Sequence, residues 1–190
     1  MIKNLGFDID GVLYPWHNAV DTYLKAYCNI DVGLDLWKDP LKYISPAFAD
    51  NLCKMEDLCT KFIPDKEMID ILWGLSEKHN IYYITSRPDE VKTATEMYFQ
   101  RYGFPQNYNL TFTKDKSFWI KYYEIDLFVE DRDKFALELK DITNVVLVRQ
   151  PWNEELWSDF ANIKHIGELP KLLEAYAERK DMPLLFGETN

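Results

Sequence analysis

Five short apolar runs, at residues 5–9, 81–84, 109–112, 126–129 and 144–148, alternate in this chain with stretches whose apolar residues recur at helical spacing. Short, nearly continuous runs of this kind read as strands covered on both faces, and their alternation with helices restricts the fold to α/β. The predicted architecture is a three-layer, Rossmann-like parallel sheet. The first four runs lead into polar residues: Asp8 and Asp10, then Thr85 and Ser86, then Lys116, then Glu130 and Asp131. Ligands of open α/β sheets collect at the carboxyl ends of the strands, so the sequence already groups its chemistry at one edge.

The first run, in MIKNLGFDIDGVL, delivers two carboxylates two residues apart and then Gly11. Residues i and i+2 of an extended chain project to the same side. Asp8 and Asp10 can therefore face one site, and Gly11 lets the backbone turn sharply beside it. Such a pair suits a hard divalent cation, a nucleophile and an acid/base.

Residues 14–64 have little strand character. Ala19, Val20, Tyr23, Leu24 and Tyr27 predict one helix; Phe48, Leu52, Cys59 and Phe62 predict one or two more after Pro46, with loops over 30–45 between them. This reads as a small helical cap inserted after the first strand, so that residues 1–13 and 65–190 form the core and 14–64 the cap. Further helices are expected after Pro64, up to Gly103, over 117–123, around Phe135 to Leu139 and around Leu169 to Tyr176, with a tail at 181–190.

A net charge of −10 disfavours extended nucleic acid as a partner. A small phosphorylated substrate is compatible with it, because a bound cation and a few local Lys or Arg residues reverse the potential inside one pocket. The three cysteines form no CxxC pair and no even framework, which predicts a reduced, cytoplasmic setting. No apolar stretch reaches membrane-spanning length, and the chain enters its first strand without a basic and apolar leader. No membrane partner is expected, while a second copy of the chain is an allowed one.

The ordered set FDIDGVL at 7–13, YITSRP at 83–88, Lys116 in FTKDKSF and VEDR at 129–132, continuing to RQPWN at 149–153, resembles the haloacid dehalogenase-like phosphohydrolase superfamily. In detail it is similar to the 5'(3')-deoxyribonucleotidases and related nucleotidase-like proteins. The resemblance implies a Mg2+-dependent phosphomonoesterase working through an aspartyl-phosphate, with a nucleotide, and in particular a deoxyribonucleoside monophosphate, as substrate. It implies Asp8 as nucleophile and metal ligand, and Asp10 as acid/base whose carbonyl reaches the metal. Thr85 and the Ser86 backbone would bind phosphoryl oxygens, and Lys116 would neutralise Asp8. Asp131 would complete the metal site with Glu130 behind it, or the two with exchanged roles, since Glu130 stands where an aspartate is common.

Alternatives remain beside this reading: a phosphatase for a sugar phosphate, another metabolite or a polynucleotide 3'-end, and a non-catalytic ligand-binding protein. Several neighbours of the motifs are further candidates. Arg87 could reach substrate or form a surface ion pair, and Arg132 is similarly placed. His17 and Trp16 follow the first motif closely enough to meet substrate. Tyr14 and Tyr43 are candidates for stacking on a base, and Arg149 and Trp152 for bordering the pocket.

Overall fold

The computed structural model describes residues 2–31, 33, 37, 42–105 and 108–178. Half of the residues in the loops expected over 30–45, and the tail at 181–190, lie outside the described residues. Among the described residues one sheet of six strands forms: β1 (Asn4–Phe7), β2 (Asn80–Thr85), β3 (Tyr108–Phe112), β4 (Leu127–Glu130), β5 (Asn144–Val148) and β6 (Ala161–Ile163). Their order is β3-β2-β1-β4-β5-β6, and every pairing is parallel. Five of the strands fall on the predicted runs with ends shifted by up to two residues, the first ending at Phe7 and not Ile9; β6 was not anticipated.

Alternation along the strands sorts the core into two layers. Leu5, Phe7, Ile81, Tyr83, Leu127, Val129, Val146 and Val148 pack to one side. Ile84, Phe128, Val145 and Leu147 pack to the other, with Ile125 just before β4. The first layer is covered by α4 (Lys66–Ser76), α5 (Lys92–Arg101) and α8 (Leu169–Glu178) through Leu72, Leu75, Phe99, Leu169 and Leu173. The second is covered by α6 (Lys116–Tyr122) and α7 (Asp133–Leu139) through Ile120, Ala136 and Leu139. Gly6 sits inside β1 because a Cβ there would meet the Phe128 ring at 2.5 Å, so the aromatic of the next strand fills the space of the missing side chain.

Between β1 and α4 the chain forms α1 (Trp16–Tyr23), a π-helical turn at Leu24–Cys28, α2 (Pro46–Cys53) and α3 (Glu56–Thr60). Ser45 caps α2 by accepting from Phe48 N, with Pro46 at its first position. Leu24, Leu52 and Leu58 of these helices join the same apolar cluster as β1. Tyr14 ties them down: its hydroxyl donates to the Leu58 carbonyl and accepts from Lys61 N at 3.0 Å. Fully buried and committed to this contact, Tyr14 is a packing residue and not a base-stacking one.

Candidate active site

The chain runs from β1 outward through β2 to β3, then returns to β4 on the other flank of β1. That reversal leaves a crevice at the carboxyl ends of β1 and β4, where helices cannot cover both sides. Asp8 leaves β1 there, its N–H donating to the Val129 carbonyl at 2.9 Å, directly beside Glu130 and Asp131 at the end of β4. Lys116 reaches the same point from the start of α6. Asp115 caps that helix by accepting from Phe118 N at 2.9 Å, so the helix begins at Lys116 and turns its side chain inward. Lys114, two residues earlier, is exposed.

Lys116 is 1% exposed and its ammonium lies 2.9 Å from Asp8 Oδ1 and 2.6 Å from Glu130 Oε2, 4.4 Å from the centre of the Phe135 ring. Burial works against its charge, but the two carboxylates more than offset this and hold it above the usual lysine range. Burial also pushes the Asp8 carboxyl up to about 7, against the pull of Lys116 and with the charges of Glu130 and Asp10 adding to the rise. The Asp131 carboxyl is held well above the usual carboxylate range by burial first and by Glu130 and Asp8 next.

Glu130 and Asp131 divide their tasks by hydrogen bonding. Glu130 Oε2 accepts from Lys116, and Oε1 accepts from the backbone N–H groups of Asp131 and Arg132, each of the latter two at 3.0 Å. Asp131 Oδ1 is buried with no hydrogen-bond partner. The Asp131 carbonyl is fixed by Trp152 Nε1 at 3.0 Å and Asn153 Nδ2 at 2.7 Å, which aims the side chain at Asp8. Carboxylate oxygens of Asp8, Glu130 and Asp131 lie within 4.8 Å of one another, an all-oxygen donor set that could hold a hard divalent cation. With Glu130 already engaged, the unpartnered oxygen of Asp131 is the donor that fits such an ion best.

Gly11 makes this approach possible. Its φ is +86°, and a Cβ would fall 2.1 Å from Asp131 Oδ2. Gly11→Ala is expected to cost at least about 1–2 kcal/mol through the left-handed backbone alone, and to drive Asp131 from its place. Urea unfolding together with divalent-cation titration checks this; wild-type stability and affinity would contradict it.

Asp10 lies inside a tight turn in which the N–H groups of Leu13 and Tyr14 both donate to the Ile9 carbonyl. Its carboxylate is gripped by Arg87, Nη2 to Oδ1 at 2.7 Å and Nε to Oδ2 at 2.9 Å. Arg87 is 6% exposed, so the alternative of a surface ion pair is overturned: the guanidinium is buried, and it pairs with an Asp10 side chain that is 24% exposed toward the cavity. Thr85 is fully buried and its hydroxyl accepts from Arg87 N, whereas the buried Ser86 hydroxyl has no partner.

Asp8, Asp10, Thr85, Ser86, Arg87, Lys116 and Asp131 meet in one cavity of about 340 Å³, which Trp16 and His17 also line. Glu130 stands behind it. Residues not singled out from sequence complete the wall, among them Trp37, Cys53, Cys59, Lys134 and Phe135. His17 packs edge-on against Trp152, ring centres 5.2 Å apart, and burial lowers its basicity while Asp21 opposes the shift. Trp152 does border the cavity. Arg149 does not: it donates to Asn162 Oδ1 at 2.6 Å and lies over the Trp157 ring. Tyr43 is likewise absent from the lining.

No protein-family model matches the chain. The "putative HAD-hydrolase YfnB" from Bacillus subtilis, bound to magnesium, superposes with a TM-score of 0.60 at 13% identity, over 91% of this chain and 99% of that one. L-2-haloacid dehalogenase from Xanthobacter autotrophicus, with chloropropionic acid covalently bound, gives a TM-score of 0.58 at 14% identity, over 92% and 99%. The chain has the haloacid dehalogenase-like fold. Within that fold, a curated relative is "Putative nucleotidase BH1399" of Halalkalibacterium halodurans, 26% identical over 162 residues that span 80% of this chain and 82% of the relative. The haloacid dehalogenase-like sheet places its switch in strand order at the Asp8–Asp131 crevice, and the neighbours are hydrolases.

Proposed function

We propose that the protein is a Mg2+-dependent phosphomonoesterase that forms an aspartyl-phosphate on Asp8, with deoxyribonucleoside monophosphates as its substrate class. The observation that carries this reading is the buried cluster at the ends of β1 and β4, in which Lys116 is shared by Asp8 and Glu130 while Asp131 keeps an unpartnered oxygen. Asp8 and Asp131, with the Asp10 carbonyl, would hold the ion. When bound, Mg2+ neutralises charge on the phosphoryl oxygens.

In the first half-reaction an Asp8 carboxylate oxygen attacks phosphorus in line. The phosphorus–ester oxygen bond breaks, and the departing oxygen keeps the electron pair and takes a proton from Asp10, which enters this step as the carboxylic acid and leaves it as the carboxylate. In the second, water gives a proton to Asp10 and attacks the same phosphorus. The bond to Asp8 then breaks, freeing phosphate and restoring the carboxylate. Lys116 and the Ser86 hydroxyl face the phosphoryl oxygens as their charge shifts.

Residues 14–64 serve as the cap in this scheme and contribute Trp16, His17 and Trp37 to the cavity wall. Together with Trp152, the indoles of Trp16 and Trp37 beside a phosphoryl site suit a flat leaving group, and the nucleotidase name of the relative points the same way. The net charge of −10 favours a small ester over a nucleic-acid chain, and the three free thiols suit a cytoplasmic setting.

Dehalogenation is the second reaction to weigh, because a dehalogenase shares the fold. A halide leaves carbon without needing a proton and without a dianion to neutralise. The Asp10 carboxylate and the spare Asp131 oxygen would then have no task, which favours phosphoryl transfer.

Phosphate release from 5'- and 3'-deoxyribonucleotides, ribonucleotides, sugar phosphates and an oligonucleotide 3'-phosphate, with Mg2+ or EDTA, tests the proposal. Release concentrated in deoxyribonucleotides and abolished by EDTA is expected. Equal rates in EDTA would remove the metal from the mechanism, and release concentrated elsewhere would replace the substrate class.

A further inference from the structure

Arg87 follows β2 and is the most heavily engaged side chain beside the cavity. Of its five N–H groups, two grip Asp10; Nη1 donates to Thr95 Oγ1 at 3.0 Å in α5 and to the Cys59 carbonyl at 3.3 Å in α3. Its guanidinium carbon lies 5.0 Å from the centre of the Tyr14 ring. Thr95 is itself fixed, its hydroxyl donating to the Val91 carbonyl. A guanidinium held this way cannot turn toward a phosphoryl group without giving up both bonds to Asp10 and its buried anchors at Thr95 and Cys59. A two-pronged pair also fixes the plane of the carboxylate it grips, which a single ammonium does not.

We propose that Arg87 is a positioning residue: it sets the plane of the Asp10 carboxylate and makes that plane depend on the seating of α3 and α5 through Cys59 and Thr95. The inference rests on the phosphomonoesterase reading. Its consequence is selective. A leaving group that needs a proton from Asp10 depends on the aim of that carboxylate, and one that departs readily as an anion does not.

The test compares p-nitrobenzyl phosphate, which leaves as an alkoxide, with p-nitrophenyl phosphate, which leaves as a stable phenolate and has nearly the same shape. The quantity read is kcat/KM with Mg2+, because it reports the first half-reaction, in which the ester bond breaks. Arg87→Met is expected to lower kcat/KM for the benzyl ester by about 100-fold or more while the phenyl ester stays within a few-fold. Arg87→Lys should recover only part of the loss.

Thr95→Val removes one anchor and keeps the charge, so it should show the same selectivity at smaller size even where Arg87→Met fails to fold. Equal losses on both esters in Thr95→Val would make the pair merely structural and overturn the proposal. A rise in KM at unchanged kcat would overturn it too, by making Arg87 a phosphate ligand. Wild-type protein that hydrolyses neither ester would instead overturn the phosphomonoesterase reading and, with it, this inference.

Discussion

Asp8→Asn is expected to lower kcat by on the order of 10⁴-fold or more, with the fold intact. The amide keeps the shape of the carboxylate but offers no anionic oxygen to phosphorus, and loss of a nucleophile removes a whole reaction path. Stability should behave differently. The carboxyl of Asp8 is pushed up to about 7 by burial, so its ionised form costs the native state free energy at neutral pH. Asparagine relieves that cost, and Lys116 keeps Glu130 at 2.6 Å. A melting temperature at pH 8 equal to or above that of the wild type should therefore accompany the inactive variant. Turnover near the wild-type rate, after deamidation is excluded by mass spectrometry, would remove Asp8 as the nucleophile.

Lys116→Met should do the reverse and strike stability first. The ammonium is the shared partner of Asp8 and Glu130, and breaking a buried pair by deleting one member costs about 3–5 kcal/mol because the other charge stays buried. The pH dependence follows from Asp8 and Asp131, whose carboxyls already titrate above their ordinary range and would rise further without the lysine. Between about pH 4 and those raised values the native state holds more protons than the unfolded chain, so stability falls as pH rises. The penalty should be largest above pH 7 and shrink toward pH 5. Urea unfolding at pH 5 and pH 8 measures it; an equal penalty at both, or none, would show that Lys116 is not the counterion of this cluster.

The sheet was legible because apolar runs such as 144–148 are long and uniform enough to exclude other readings. β6 escaped because Ala161, Asn162 and Ile163 span only three residues with a polar one in the middle, and its strand character comes from pairing with β5. The grouping of Asp8, Asp10, Thr85, Ser86, Lys116 and Asp131 around one cavity followed from a simple rule, that each stands at or just beyond a strand end or a helix start. Arg87 shows where such a rule stops. Its partner lies 77 residues away, and nothing near it in sequence distinguishes a buried guanidinium from a solvated one. Trp37 was hidden for a related reason, since a lone indole in a loop-like stretch carries no periodic signal. Tyr14 and Arg149 went the other way: proximity to a motif suggested ligand contact, but Tyr14 is buried in packing and Arg149 is exposed and turned to Asn162 and the Trp157 ring.

The central position of β1 also bears on how the protein is made. Asn4 meets Asn80 across β2, 76 residues on, and meets Asp126 beside β4 only 122 residues on. At ribosomal rates the second interval is roughly 6–24 s, far longer than local helices need to form. Throughout it, a strand whose four residues are all buried in the finished fold waits with one or both edges open. The segment that leads into Asp8, the proposed nucleophile, is thus also one left open to mispairing during synthesis, and the helices between β1 and α4 are the first apolar surface available to shelter it.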